Sequence, residues 1–351
     1  MDLESTRKKI SQVDSEILNL LSRRMELALQ TKGFKKGVED KEREKQVLDY
    51  VKKRSHGLIS SDFSIKVYQD IISEAKNLQK KNLELVGFQG EHGAYSEEAV
   101  MKFSKSGVPM PCAEFGEVFD GVKDGLLDAG IVPVENTLAG AVIPVNDLLI
   151  QRDLHVVGEV KVPIRHCLLA LPDTDYREIK VVYSHPMALS QCHGIISRQK
   201  FEARSYYDTA GAARMLVEER PRAAAVIASK LCADIYGLEI LRENIDDHHS
   251  NETRFFVLSK IPNKGDGDKC SIIFSTPHKA GALFSVLKVF SDAGINLTRI
   301  ESRPLRDDPG NFAFLVDFQG SSNDKKVASA LEDVKKNSEV YKFLGCYKEA
   351  K

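Results

Sequence analysis

The sequence predicts a multidomain chain of three successive fold classes: an all-α bundle over residues 1–82, a two-lobed α/β segment over 83–262 and an α+β sandwich over 269–347. Three observations carry this. All 12 prolines lie at or beyond Pro109, and residues 1–82 hold only Gly33, Gly37 and Gly57, so helix breakers are nearly missing from the first segment. From Leu83 to about Leu258, short apolar β-branched runs alternate with helix-length amphipathic stretches. After the loop Pro262–Asp268 the order becomes strand, helix, strand, strand, helix, strand, the ferredoxin-like pattern. A chain of 351 residues is also too long for one small core.

In the first segment one helix should run from near Asp2 past Gln30. Leu3, Ile10 and Ile17 occupy one seam position of a seven-residue repeat, and Val13, Leu20 and Leu27 occupy the other. Gly33 to Gly37 predicts a break. Residues 41–54 predict a second helix with Val47, Leu48 and Val51 inward, and residues 63–82 a third, capped by Asp62. One long helix and two short ones cannot cover the long seam alone. An intertwined pair of chains is the economical solution, so a homodimer or homotetramer is expected.

In the second segment, strands are expected at Leu83–Phe88, Ala129–Val134, Lys180–Tyr183, Ala223–Ile227 and Phe255–Leu258. Helices are expected at 94–106, 141–151, 187–199 and Ala210–Glu219, and the alternation predicts mainly parallel sheet. The long apolar stretch His155–Leu171 joins two clusters of such units, which predicts two lobes with a cleft between them. In the third segment, strands Ser271–Ser275, Asn296–Ser302, Phe312–Phe318 and Val340–Tyr347 accompany helices Ala282–Ala293 and 323–336.

Composition excludes several classes. Fifty basic and 51 acidic side chains leave a net charge of −1, no footprint for nucleic acid or an anionic membrane. No stretch approaches the roughly 18 apolar residues of a membrane span. Charges throughout the first 25 residues argue against a secretory signal, so a cytoplasmic protein is expected. The six cysteines include no CxxC pair and read as reduced, mostly buried thiols rather than zinc ligands or a disulfide framework. Asp246-Asp247-His248-His249 has no helical His pair at i,i+4, and no metal is expected. Gly87, Gly90 and Gly93 are spaced GxxGxxG rather than GxGxxG, and neither a GxxxxGK[ST] loop nor a GxSxG elbow occurs, so no cofactor is expected.

Arg24 falls on the seam position of Leu3, Ile10 and Ile17, where a guanidinium is costly unless it meets an anion. Lys35 would project within roughly 20° of Arg24 if the helix continued that far. Asp40, Arg43 and Glu44 share one face of the second helix, and Ala75 and Gln79 continue the inward line of Ile71. Arg7 is turned about 100° from Arg24, an angle from which it would reach a partner chain's pocket. A site for a dianion is one reading; a surface helix with i,i+4 ion pairs and one snorkelling arginine is the other. The segments LESTRKKISQVDSEIL, RRMELA and DKERE resemble the all-helical class of chorismate mutases across residues 1–82. The resemblance implies that Arg7, Arg24, Lys35, Asp40, Arg43, Glu44 and Gln79 bind chorismate, with Lys35, Gln79 and Glu44 catalytic. Ala75 stands where that family commonly has serine. An intramolecular [3,3] shift needs no nucleophile; it needs a compact conformer and stabilised charge at the breaking ether bond.

Gly93-Ala-Tyr-Ser96 follows the first strand and opens a helix, an anion site to which Ser96 adds a hydroxyl. Glu135-Asn136-Thr137, Ser184-His185-Pro186 with Gln191, Asp208-Thr209 and Asn251-Glu-Thr253-Arg254-Phe255 place small polar groups at strand or helix ends. Singly, each is also an ordinary helix cap. Together these stretches resemble prephenate dehydratases over about residues 83–262, with Thr253-Arg254-Phe255 the most specific mark. The resemblance implies a periplasmic-binding-protein-like pair of lobes and Thr253 as the catalytic residue. It also implies prephenate binding by Ser96, Glu135, Asn136, Thr137, Ser184, Gln191, Thr209, Thr253, Arg254 and Phe255. Arg254 suits a carboxylate, or pairs with Glu135 or Glu252. The stretches 93–96 and 159–172 also resemble arogenate dehydratases, which leaves arogenate as an alternative substrate.

Gly281-Ala282-Leu283-Phe284 and Glu301-Ser302-Arg303-Pro304 resemble the phenylalanine-binding marks of ACT domains, which implies L-phenylalanine as a feedback effector. The expectation is a bifunctional enzyme of phenylalanine biosynthesis, taking chorismate to prephenate and prephenate to phenylpyruvate. A non-catalytic ligand-binding regulator of the same architecture is the alternative from another class.

Overall fold

A computed structural model describes residues 3–34, 37–263, 267–305 and 310–350, in two compact units, Met1–Glu84 and Leu85–Lys351. With no proline to stop it, α1 (Leu3–Gln30) continues for 28 residues and ends in a 3-10 turn at Thr31–Phe34. The helix α2 (Lys41–Arg54) is capped by Asp40, whose carboxylate accepts the Arg43 N–H at 3.0 Å, and ends in three basic residues that suit its dipole. The third helix, α3 (Ser61–Lys80), starts earlier than expected. Ser60, not Asp62, is the cap, its hydroxyl accepting the Phe63 N–H at 3.2 Å. Asp62 lies inside the first turn, where a negative charge still favours the dipole. The seam residues Leu3, Ile10, Val13, Ile17, Leu20 and Leu27 are each 49–66% exposed, so the apolar stripe of α1 stays uncovered within one chain.

The second unit begins with one lobe built from β1 (Leu85–Gln89), α4 (Tyr95–Phe103), β2 (Val108–Cys112), α5 (Phe115–Asp124), β3 (Ala129–Asn136), β4 (Gly140–Ala141), α6 (Ile143–Gln151) and β5 (His155–Pro163). The chain then crosses at residues 164–166 into a second lobe. That lobe holds β6 (Cys167–Ala170), β7 (Val181–Ser184), α7 (Pro186–Gln191), α8 (His193–Gln199), β8 (Glu202–Ser205), α9 (Thr209–Glu219), β9 (Ala224–Ala228), α10 (Lys230–Tyr236) and β10 (Glu239–Arg242). A second crossing at residues 243–251 returns it to the first lobe as β11 (Glu252–Ser259).

The sheets run β2-β1-β3-β11-β5 and β10-β6-β9-β7-β8, with β4 on β3. Both are mixed, which corrects the expectation of mainly parallel sheet. Strands β2, β1 and β3 are parallel, as are β8, β7 and β9. The crossing strands run the other way: β11 is antiparallel to both β3 and β5, and β6 to both β9 and β10. The stretch His155–Leu171 is thus one strand in each lobe rather than a single long one. The edge strands β2, β8 and β10 lacked a continuous apolar run; β8 is exposed along its whole length.

The third sheet, β13-β14-β12-β15, is formed by β12 (Lys269–Thr276), β13 (Leu297–Pro304), β14 (Phe312–Gln319) and β15 (Tyr341–Tyr347). The helices α11 (Ala282–Asp292) and α12 (Lys325–Lys336) cover one face over Phe274, Phe290, Phe318, Val316 and Val334. The sandwich packs onto the first lobe. The segment after β15 bonds to β5, with Ala350 N donating to the Glu159 carbonyl at 2.7 Å and Glu159 N to the Lys348 carbonyl at 3.2 Å. Gly345, at φ +153°, permits this approach, since a Cβ there would lie 2.1 Å from the Val156 carbonyl oxygen.

Candidate functional sites

Helical periodicity brings Arg24, Asp40, Arg43, Glu44, Ala75 and Gln79 together around a cavity of about 250 Å³. Leu27, Val47 and Ile72 supply its apolar wall. Arg24 Nη1 is buried with no hydrogen-bond partner, an unsatisfied cationic donor that an anionic ligand would complete. Glu44 accepts from Lys76 Nζ at 3.0 Å. Gln79 Nε2 donates to the Ala28 carbonyl and, at 2.9 Å, to Thr31 Oγ1, so its amide hydrogens are engaged within the bundle. Lys76 was missed in the sequence although it lines the cavity; its signal was a cation three residues before Gln79 on an inward helix face. Arg7 is exposed and is not among the lining residues, and Lys35 lies outside the described residues.

In the two-lobed unit, β11 carries Thr253 against Asn136 of β3. Asn136 Nδ2 donates to Thr253 Oγ1 at 2.9 Å and to Asn251 Oδ1 at 2.7 Å. Asn251 Nδ2 donates to Gln191 Oε1 at 3.0 Å, and His166 Nε2 lies 3.0 Å from the same oxygen. His166 Nδ1 is 2.9 Å from the Tyr95 hydroxyl. An oxygen already accepting from Asn251 pairs with a donor, which assigns Nε2–H as donating to Gln191, while the Tyr95 hydroxyl donates to the Arg165 carbonyl at 2.9 Å with His166 Nδ1 beside it. Burial lowers the His166 pKa against the opposing pull of Asp246 and Gln191, which favours neutral imidazole. A polar chain therefore runs from Thr253 to Tyr95 through both crossings between the lobes. Asn251 and Tyr95 lay within the quoted site stretches but were not among the expected binding residues, and His166 was not singled out, since a crossing segment carries no periodicity to flag it. Thr137 locks the same loop, its hydroxyl donating to the Ser250 carbonyl and accepting from Glu252 N, both at 3.0 Å.

Several expected substrate contacts are engaged elsewhere. Arg254 faces away from this chain and meets Glu135 at 2.7 Å, Glu159 at 2.8 Å and Asp317 of β14 at 2.5 Å. Burial works against its charge, but Asp317, Glu159 and Glu135 outweigh burial and hold it protonated. Arg299 of β13 joins the cluster, donating to Asn146 at 2.7 Å and lying 3.4 Å from Glu135. Arg254 and Glu135 thus join the first lobe to the third sheet. Phe255 is a buried core residue. Ser184 is fully buried and donates to the Ile227 carbonyl at 2.5 Å, tying β7 to β9. Ser96 is buried in the first turn of α4. The loop before it is no open anion site: Gly93 N donates to Glu97 at 2.6 Å, and Ser229 donates to the Gly93 carbonyl at 2.6 Å. Thr209 follows Asp208, which caps α9 through the Ala210 and Gly211 N–H groups.

In the third sheet, Gly281 precedes α11 at φ +84°, Leu283 packs on the core, and Ala282 and Phe284 lie in the first turn, Phe284 exposed. Glu301, Ser302, Arg303 and Pro304 end the edge strand β13, where Arg303 pairs with Asp147 of α6 at 2.8 Å.

A helical unit around a cationic cavity, two crossed lobes and a ferredoxin-like sheet define a multidomain chain with two separate candidate ligand sites. The family model for chorismate mutase type II matches residues 6–80, that for prephenate dehydratase residues 86–263, and that for the ACT domain residues 271–336. The chain belongs to the family of bifunctional chorismate mutase/prephenate dehydratases. The bifunctional enzyme of Aquifex aeolicus is 35% identical over 99% of this chain and 98% of its own. The chloroplastic arogenate dehydratase/prephenate dehydratase 2 of Arabidopsis thaliana is 39% identical over 75% of this chain and 72% of its own. A prephenate dehydratase of Arthrobacter aurescens, solved in complex with L-Phe, is 31% identical with a TM-score of 0.70, covering 76% of this chain and 90% of that one. No described helix is long and apolar enough to cross a membrane.

Proposed function

We propose that residues 1–82 rearrange chorismate to prephenate, that residues 83–262 convert prephenate to phenylpyruvate, and that residues 269–347 sense L-phenylalanine. In the helical cavity Arg24 binds a substrate carboxylate, Arg7 of a second copy supplies the other, and Glu44, held by Lys76, orients the ring hydroxyl. Lys35 donates to the breaking ether, and Gln79 joins it by exchanging its hydrogen bond to Thr31 for one to the substrate. The exposed seam of α1 supports this pairing of two chains.

The observation that carries the dehydratase reading is the direction of the Thr253 hydrogen bond. Its oxygen accepts from Asn136, which leaves its own proton to be donated to a leaving hydroxyl. The carbon–carboxylate bond breaks, its electron pair enters the ring, and the protonated hydroxyl departs as water, leaving carbon dioxide and phenylpyruvate, after which Thr253 recovers its proton from solvent. Asn251, Gln191 and His166 orient the threonine through its asparagine. The Gly281–Phe284 turn and the Glu301–Pro304 strand end are the proposed effector contacts.

Supplying the purified chain separately with chorismate, prephenate and arogenate tests this. Phenylpyruvate from the first two supports it. Phenylalanine formed from arogenate at the higher kcat/KM would move the second activity to the amino substrate. No turnover of any of the three would leave a binding protein.

A further inference from the structure

Cys270 of β12 and Cys346 of β15 are register partners across an antiparallel pair, buried at 0% and 2% exposure. Their sulfur atoms stand 2.9 Å apart, with the Cys270 thiol donating to Cys346. Opposed residues in such a ladder have Cα atoms about 4.5 or 5.5 Å apart, inside the roughly 4.4–6.8 Å that a disulfide spans, so closure needs little backbone movement. The Ser322 N–H also points at Cys346 Sγ, at 3.5 Å. Donation from Cys270, opposed by burial and aided by Ser322, brings Cys346 down to about 6, while Cys270 is held up. One sulfur is thus prepared as nucleophile and the other as resolving thiol. Ser321 and Ser322 form a half-buried turn against Cys346.

We propose that Cys270 and Cys346 form a reversible dithiol–disulfide site oxidised by a hydroperoxide. The Cys346 thiolate attacks a peroxide oxygen, the O–O bond breaks, and the released oxygen leaves with a proton while a sulfenic acid forms. The Cys270 sulfur then attacks the Cys346 sulfur, the S–O bond breaks, and hydroxide leaves as water with the Cys270 proton. Two thiols are oxidised by two electrons and the peroxide is reduced; a thiol reductant reverses the step by exchange. The next residues on the two strands, Ser271 and Tyr347, point to the opposite face of the sheet, where their hydroxyls are 2.6 Å apart and Ser271 donates to Asp317 at 2.6 Å. Asp317 in turn meets Arg254, the neighbour of Thr253, so the strand pair that the bond would cross-link also carries the ion pair to β11.

The test uses the full chain and hydrogen peroxide, followed by alkylation in denaturant and peptide mapping. The expected result is one cross-linked peptide pair joining positions 270 and 346, with the other four cysteines alkylated. Tm should rise by several degrees and return on adding dithiothreitol. In Cys270→Ser, dimedone should trap a sulfenic acid at position 346. Full alkylation of both thiols after saturating peroxide overturns the proposal, as does cross-linking spread evenly over all six cysteines; the unmutated chain decides both.

Discussion

At the residue scale the proposed chemistry rests on two side chains. Arg24 presents an unpaired buried N–H to the helical cavity, so Arg24→Ala should lower mutase kcat/KM by about two to three decades. Dehydratase turnover of the same preparation should be unchanged, and chorismate kinetics beside prephenate kinetics check both. Thr253 is the mirror case. Thr253→Ala should cost about two to four decades of dehydratase kcat with mutase intact, whereas Thr253→Ser, which keeps the hydroxyl, should retain most of the activity. Loss of both activities in the alanine variant would point to misfolding instead. The contrast between Thr253 and Arg254 shows how far a motif reads. The tripeptide marks the place, but a strand turns successive side chains to opposite faces, and only the partner on each face decides their roles.

Elements set the environment of such groups. On α4, Glu98 is pushed up to about 7, first by burial and then by Glu97, against the opposing effect of the nearby Ser229 hydroxyl. Below the ordinary glutamate range the group is protonated in both folded and unfolded chains, and its stabilising neutral form is fully present. As pH rises the unfolded chain ionises first, and that stability is lost through about 7, a difference of about 3 kcal/mol. Glu98→Gln should therefore raise Tm at pH 8 and change it little near pH 5, measured by thermal melts at both values. On β14, Asp317 is the shared anion of Arg254 and Ser271, with Arg299 3.9 Å away. Asp317→Ala removes one of the three carboxylates that meet the buried Arg254 and leaves Glu135 and Glu159 in place, which should cost about 3 kcal/mol in denaturant unfolding.

At the scale of the whole molecule, a long helix with an exposed apolar stripe is unfinished as a single copy. Leu20→Glu places a charge on that stripe without disturbing a packed core. It should weaken self-association roughly a hundredfold or more, seen by sedimentation, and lower mutase activity while dehydratase activity persists. The second unit gives the opposite lesson, because its third sheet has its own strand pattern yet is joined to the first lobe by Arg254, Arg303 and the chain end at Ala350.

What the sequence determined by itself was whatever repeats locally. Proline absence and heptads yielded α1, and i,i+3,i+4 spacing put Asp40, Arg43 and Glu44 on one face, because a helix converts spacing directly into direction. Alternating apolar runs located most strands, and the βαββαβ order stood out for the same reason. The tertiary structure alone decided what meets across long separations: the mixed sheets made by two crossings, the chain from Thr253 through Asn251 and His166 to Tyr95, and the assignment of Arg254 to Asp317. Hydrogen bonds and ion pairs between residues dozens of positions apart depend on which layers pack together, and no local period encodes that.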